Sequence, residues 1–505
     1  MTNLSMFGTA MAQILTDPKV LLLLAISVAC GIVIGALPGL TATMGVALMV
    51  PFTYGMEMKY GLPVLMGIYC SAVYGGSISA ILLNTPGTPA AAATVIDGYP
   101  MAKNGQAGRA LSMSVFASTV GGLIGVAAMI LFAPAMSKIA LHFTSGEFAV
   151  IALFGLSVIV SISGDSLLKG FISAGLGLML CSIGLDPMDG YPRFTFGSMN
   201  LYSGFELVPV LIGLFAVSEC LISIENIEHA KTVKSKVERI LSPMSDIRQC
   251  FVHIVKSGVL GTFIGCIPGA GSDIACFVAY GEAKRSSKNA AEFGKGSIEG
   301  VAAPESANNA VGGGAMIPML SLGVPGDPVT AVLIGALMIQ GLTPGPLLYR
   351  DHADVVFLIF ASMVVANIFM FIIASAGLPV FTKVVSIDKN ILVPVIFILC
   401  MVGSFSLRNN VFDVWTAFGF GVAGYLLQKV KLPVAPILLA LILGPMAEEN
   451  LRRMLVANDG SYMALTSPIC LVLFALSIFM VVSSLRKQKQ LKAKEAAAKA
   501  AEKEQ

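Results

Sequence analysis

Gly35-Ala-Leu-Pro-Gly-Leu-Thr-Ala-Thr43 interrupts an apolar segment, and Gly265-Cys-Ile-Pro-Gly-Ala-Gly-Ser-Asp273 repeats it just past the middle of the chain. The match continues upstream, where Gly31-Ile-Val-Ile34 aligns with Gly261-Thr-Phe-Ile264. A Pro-Gly pair at membrane depth frees backbone donors and acceptors that lipid cannot satisfy, so it belongs in protein or beside a polar cavity. Two such breaks in corresponding positions of two halves point to the binding site of a transporter.

Composition sets the solvent. The chain has 505 residues, of which 56% are hydrophobic and 12% charged, with mean hydropathy +0.84. Soluble domains carry about 25% charged residues, and a bilayer core takes roughly 20 apolar residues per helix. The sequence offers many such runs, so the expected fold is an all-α polytopic membrane protein. The net charge of +3 sits in loops and the tail and gives no reason to expect nucleic acid as a partner. Nine cysteines without a CxxC pair read as small core residues, and four scattered histidines (His142, His229, His253, His352) make no metal pattern. The run from Val20 has no A-x-A cleavage site and reads as a retained membrane segment rather than a signal peptide.

Each Pro-Gly break has a downstream companion, Asn84-Thr-Pro-Gly-Thr-Pro89 in the first half and Gly323-Val-Pro-Gly-Asp-Pro328 in the second. The expected organisation is a first transmembrane half over residues 1–223, a polar cytoplasmic linker over 224–249, a second half over 250–485 and a charged cytoplasmic tail over 486–505. Basic residues flank the second broken run on both sides, with Arg248 before it and Lys284, Arg285, Lys288 and Lys295 after it. Excess Lys and Arg in short loops marks the cytoplasmic side. That run therefore reads as a re-entrant helical hairpin tipped by Pro268-Gly269. The sparse charges around the first copy, Lys19 and Lys59, suit entry from the opposite face. Two homologous halves, built as inverted repeats with discontinuous helices, fit this pattern; a parallel repeat is the alternative.

The chemistry expected at the tips is anion binding by backbone N–H groups at helix starts, since neither tip holds Lys or Arg. Gly39, Leu40, Thr41, Ala42 and Thr43 form the first candidate substrate site, with Asn84, Thr85, Gly87 and Thr88 from its companion. Gly269, Gly271, Ser272 and Gly326 form the second, with Asn308 and Asn309 from the polar stretch Ala303–Gly312 as cavity lining. The competing readings are a tight turn capped internally and ordinary inter-helix hydrogen bonding. An ionised acid in a membrane segment is a functional candidate by default. Asp273 beside an anion at 4 Å would cost about 4 kcal/mol at an effective dielectric of 20, a penalty that a cation or proton removes. Asp273 and Asp327 are accordingly the candidate cation-coupling residues, with helix capping as the rival role for Asp273. Glu448–Glu449 and Arg452–Arg453 read as two structural i,i+4 pairs.

At these residues the chain resembles the large subunit of the tripartite tricarboxylate transporters, the TctA family. The matching stretches are Gly35–Pro51, Gly75–Pro89, Arg193–Gly197, Ala303–Pro318, Gly323–Pro328, Gly341–Pro346 and the Leu-Arg-Arg segment after Gly444. The resemblance implies a bacterial inner-membrane secondary transporter, not an enzyme, for citrate-like or other carboxylates. It implies a small membrane subunit and a periplasmic solute-binding protein as partners. It also implies no cofactor beyond a sodium ion or proton as the coupling ion. The sequence agrees in lacking G-x-x-x-x-G-K-[ST]. The rivals are an anion channel without ion coupling and an intramembrane enzyme; the latter lacks H-E-x-x-H and G-x-S-x-G.

Overall fold

A computed structural model describes residues 3–37, 39–162, 166–225, 242–384 and 389–503. Pro38 and most of the polar linker, residues 226–241 with His229, lie outside the described residues. In chain order the helices are α1 Asn3–Thr16, α2 Pro18–Ala36, α3 Ala42–Tyr54, α4 Met58–Leu83, α5 Val95–Lys103, α6 Ala107–Ala140, α7 Ser145–Ile162 and α8 Leu167–Cys181. A two-residue antiparallel pair, β1 Gly184–Leu185 with β2 Pro192–Arg193, follows. Next come α9 Leu207–Leu211, a π-helical segment Ile212–Val217, α10 Ser218–Glu225, α11 Met244–Gly265, α12 Gly271–Ser286 and α13 Ile298–Leu322. The chain continues through α14 Pro328–Ile339, α15 Pro346–Asp351, α16 Ala353–Val384, α17 Lys389–Arg408, α18 Val411–Lys429, α19 Ala435–Ala457 and α20 Pro468–Lys503.

Among the described residues six helical segments are long and apolar enough to cross a bilayer: Pro18–Ala36, Met58–Leu83, Ala107–Ala140, Leu207–Glu225, Ala353–Phe381 and Pro468–Arg486. The chain is an all-α polytopic membrane protein. These segments differ in what surrounds them. The apolar stretch of α4 is wholly buried in protein, whereas only 6% of that in α20 is. A helix buried on every side needs partners on every side, and α4 supplies small residues for them: Gly61, Gly67, Ser71, Gly75, Gly76, Ser77 and Ser79.

The chain divides into two compact units, Met1–Leu141 with Val208–Tyr425, and His142–Leu207 with Leu426–Gln505. In the first, α2 packs on α4 and α11 packs on α13. A Cβ on Gly35 would meet the Ala72 carbonyl oxygen at 2.0 Å, and one on Gly265 the Val311 carbonyl oxygen at 2.7 Å. Small residues one turn apart let membrane helices approach this closely, and Gly31–Gly35 and Gly261–Gly265 do so in both places. Both long helices end left-handed, α4 at Asn84 (φ 60°) and α13 at Gly323 (φ 74°). Residues Asn and Gly tolerate that conformation best, so each helix stops just before its Pro-Gly companion segment. The pairing also crosses between halves: α4 and α2 pack on α16, and α13 and α11 pack on α6.

The second unit packs α19 on α7 and α8, and α20 on α7. Its loop is held by ions. Arg193 bonds Glu448 at 2.7 Å and Arg452 bonds Asp186 at 2.7 Å. Arg452 also reaches Glu448 at 3.2 Å and Arg453 pairs with Glu449, the two i,i+4 pairs read from sequence. The Asp186 carboxylate lies below its ordinary pKa, because it accepts from the Asp189 and Met188 N–H groups and then from Arg452. All nine cysteines are free thiols; Cys30 is exposed and five others are buried in the first unit (Cys70, Cys220, Cys250, Cys276, Cys400).

Candidate functional site

The first tip joins α2 to α3. Leu37 closes α2, Gly39 takes φ 95°, and the Leu40 N–H donates back to the Leu37 carbonyl at 3.1 Å. Thr41 is the N-cap of α3: its hydroxyl accepts from the Met44 N–H at 3.1 Å. Ala42 and Thr43 follow as buried first-turn residues. Only glycine takes φ 95° without strain. A Cβ there would also lie against Ser223 Oγ at 3.2 Å and Glu219 Oε1 at 3.4 Å, both on α10. The tip therefore faces an acid that its own sequence lacks.

Its companion segment lies against the same hairpin. The Gly87 N–H donates to the Gly76 carbonyl at 3.1 Å, and a Cβ on Gly87 would meet the Gly35 carbonyl at 2.2 Å. Thr88 is 3% exposed and its hydroxyl has no partner. Asn84 and Thr85, by contrast, are exposed, with the Thr85 hydroxyl turned to the Leu83 carbonyl at 3.5 Å.

At the second tip the companion segment again lies against the hairpin, held by a different hydrogen bond. The Gly269 N–H (φ 78°) donates to the Gly326 carbonyl at 2.7 Å, and a Cβ on Gly326 would meet the Gly265 carbonyl at 2.7 Å. Gly271 (φ 59°) opens α12, which has no side-chain cap, and Asp273 stands in its first turn. Asp273 is exposed at the protein surface, and Ser272 is partly so. Asp327 is the buried acid, 4% exposed. It forms a capping box with Thr330 (2.7 Å to the N–H, 2.8 Å to the hydroxyl) and accepts from the Tyr69 hydroxyl at 2.8 Å. Asp273 and Asp327 lie within electrostatic reach of each other.

The two halves brace one another at equivalent points. Tyr69 of α4 bonds Asp327 in the second companion segment, and Asn308 of α13 bonds the Ala90 carbonyl just past the first, at 3.1 Å. Each lies seven residues, about 10 Å, before the point where its own half's companion segment touches the helix, Gly76 or Ala315. Asn309 donates to Asn308 Oδ1 at 2.6 Å and to the Glu305 carbonyl at 3.1 Å. Thus Asn308 and Asn309 are committed to inter-element and local hydrogen bonds. Sequence reasoning missed Tyr69, Glu219 and Ser223. The π-helical segment just before α10 leaves no clear trace in composition, although such segments concentrate at functional sites. Among the described residues no group of three or more His, Cys, Asp or Glu comes together as for a metal ion.

Comparison with known proteins finds a family for the chain. The family model described as "Tripartite tricarboxylate transporter TctA family" matches residues 21–439. An Agrobacterium vitis protein, "Uncharacterized 52.8 kDa protein in TAR-I ttuC' 3'region", is 36% identical over 461 residues, 91% of this chain and 92% of that one. A second from the same organism, "Uncharacterized protein in TAR-II ttuC' 3'region", is 40% identical over 226 residues, 45% of this chain and 93% of that one. No solved structure matches the chain.

Proposed function

The chain belongs to the TctA family, the large membrane subunits of tripartite tricarboxylate transporters, and on that premise we propose that it imports di- or tricarboxylates of the citrate type, driven by a sodium or proton gradient. A periplasmic solute-binding protein delivers the ligand, and a small membrane subunit completes the assembly in the bacterial inner membrane. In this reading the N–H groups opening α3 and α12 hold the substrate carboxylates. Thr41, Thr43, Thr88 and Ser272 add hydroxyls, Gly39, Gly87, Gly269, Gly271 and Gly326 give close backbone approach, and Leu40 and Ala42 line the first tip. Exposed Asn84 and Thr85 stand at the entrance, and Asn308 and Asn309 hold the first companion segment in place.

The observation that carries the reading is Asp327. It is buried beside the second tip, and its hydrogen-bond donors are a phenol, a hydroxyl and an amide rather than a cation. An ionised acid so placed repels an incoming carboxylate unless a coupling cation or proton enters with it. With Asp273 in electrostatic reach, the two acids mark the coupling position, and Glu219 supplies the corresponding charge beside Gly39.

The test is labelled citrate uptake into proteoliposomes that hold this chain and its small partner, with the binding protein outside. Accumulation is expected under a sodium or a proton gradient and is lost when the binding protein is omitted. Equilibrating flux without a gradient would instead identify a channel. Asp273→Asn should weaken cation dependence more than binding-protein docking. Unchanged ion dependence in that variant would reduce Asp273 to a first-turn residue of α12.

A further inference from the structure

Glu305 stands in the middle of the first unit, 0% exposed, with no basic side chain among its hydrogen-bond partners. Three elements converge on it. The turn before α5 brings Thr94, whose hydroxyl donates to Oε1, and α6 brings Ser118, which donates to Oε2 at 2.9 Å. From one turn earlier on the same face of α6 comes Ser114, and α4 contributes Tyr74 and Ser77, three residues apart on one face. Ser77 and Ser114 approach the carboxylate as hydroxyl neighbours, and Tyr74 lies within reach of its charge. All three are 0% exposed, and none of these hydroxyls completes a hydrogen bond of normal geometry.

A buried hydroxyl without a partner is unusual, and three around one unpaired acid are a strong departure from the rule that buried polar groups are satisfied. A serine or threonine that gives its proton to the carboxylate still keeps lone pairs for another ligand. The donor set is all oxygen, which suits a hard cation rather than a soft one. One carboxylate balances one positive charge, so a divalent ion would leave an excess charge in the interior. The nearby Cys276 thiol is engaged elsewhere, donating to the Asp273 carbonyl at 3.0 Å.

We propose that Glu305, with the hydroxyls of Ser77, Thr94, Ser114 and Ser118, forms a binding site for a monovalent cation of sodium size. This site uses none of the residues assigned above to the hairpin tips. Its existence does not depend on which carboxylate is carried, and it does not require the chain to be gradient-coupled.

The test is thermal unfolding of the purified full chain at fixed pH and ionic strength, titrating sodium chloride against choline chloride, without substrate. A ligand that binds only the folded state raises its unfolding temperature. Sodium is expected to stabilise the wild type, and Glu305→Gln to remove that response. Replacing the two unpartnered serines, Ser77→Ala with Ser114→Ala, should shift the sodium midpoint upward by about tenfold or more, the usual scale for loss of metal-site support. Asp186→Asn, in the ion-paired loop of the second unit, should keep the response. The proposal is overturned if the wild type responds to pH but not to sodium, or if a folded Glu305→Gln titrates with the wild-type midpoint. Loss of the response in Asp327→Asn but not in Glu305→Gln would place the ion at the tips and overturn it as well. Should Glu305→Gln fail to fold, the double serine variant decides: an unchanged midpoint overturns the proposal.

Discussion

At single residues, the polar groups of the hairpins carry two duties at once. Thr41 and Asp327 each close the first turn of a helix, a role readable from Thr and Asp placed before helical runs. What no local pattern reveals is the partner of Asp327, because Tyr69 lies 258 residues away and meets it only through packing. Tyr69→Phe removes one donor from a buried carboxylate. It should cost about 1–3 kcal/mol of stability, the scale for leaving such a group under-satisfied, and lower gradient-driven uptake while sparing binding-protein docking. Unfolding and uptake measured on one preparation check both halves. Asp186 provides a pH test outside the membrane segments. Its folded pKa is depressed, so its stabilisation is fully present above the ordinary carboxylate value of about 3.9 and is lost as pH falls through the lower folded value. The stability gap between wild type and Asp186→Asn should therefore hold from pH 7 to about 4 and close below that. A gap that persists unchanged under strong acid would assign Asp186 a purely steric role.

Among elements, the decisive contacts are those of glycine with backbone. Gly75 stands 3.0 Å from where a Gly35 Cβ would be, and Gly265 Cα stands 3.1 Å from where a Gly314 Cβ would be. Pairs such as Gly75 and Gly314, Gly76 and Ala315, Gly87 and Gly326, and Tyr69 and Asn308 share one sequence separation. The hairpin glycines, Gly31 with Gly261 and Gly35 with Gly265, share another. The Pro-Gly breaks and their companions were legible because proline and glycine punctuate helices strongly. The crossing of α4 with α16 and of α13 with α6 was not, since apolar helices in lipid present no distinctive buried stripe from which a partner could be read. Gly87→Ala and Gly326→Ala should damage the protein alike. Each puts a methyl against a fixed carbonyl, an overpacking cost of about 1–3 kcal/mol. Gly281→Ala on α12, where a Cβ meets nothing within 4 Å, should instead be neutral or stabilise by up to about 1 kcal/mol. Equal losses at all three positions would mean that general helix perturbation, not the break contact, is being measured.

For the whole molecule, sequence repetition and compactness divide the chain along different lines. The first unit gathers the hairpins, companions and long helices of both sequence halves, while the second holds α7, α8, α19 and α20. Because α4 hydrogen-bonds the second companion segment and α13 hydrogen-bonds Ala90 just past the first, the parts of both halves within the first unit interlock, and neither is expected to fold its site alone. How that unit lies in the bilayer is what the inverted-repeat proposal addresses. The last turn of α12 and the loop after it carry Lys284, Arg285 and Lys288, whereas the corresponding junction between α3 and α4 carries Glu57 and Lys59, which pair with each other at 3.1 Å. Positive charge is retained on the cytoplasmic side, so the two loops should end on opposite faces. Single cysteines at Glu57 and Lys288, introduced into a variant lacking the nine native thiols, turn this into a measurement, because both positions are exposed. A membrane-impermeant maleimide should label Glu57→Cys in intact cells and Lys288→Cys only after permeabilisation. Labelling of both from one side would mean a parallel repeat. In that case the starts of α3 and α12 would point the same way through the membrane, and two opposed helix dipoles could not close on one substrate from either side.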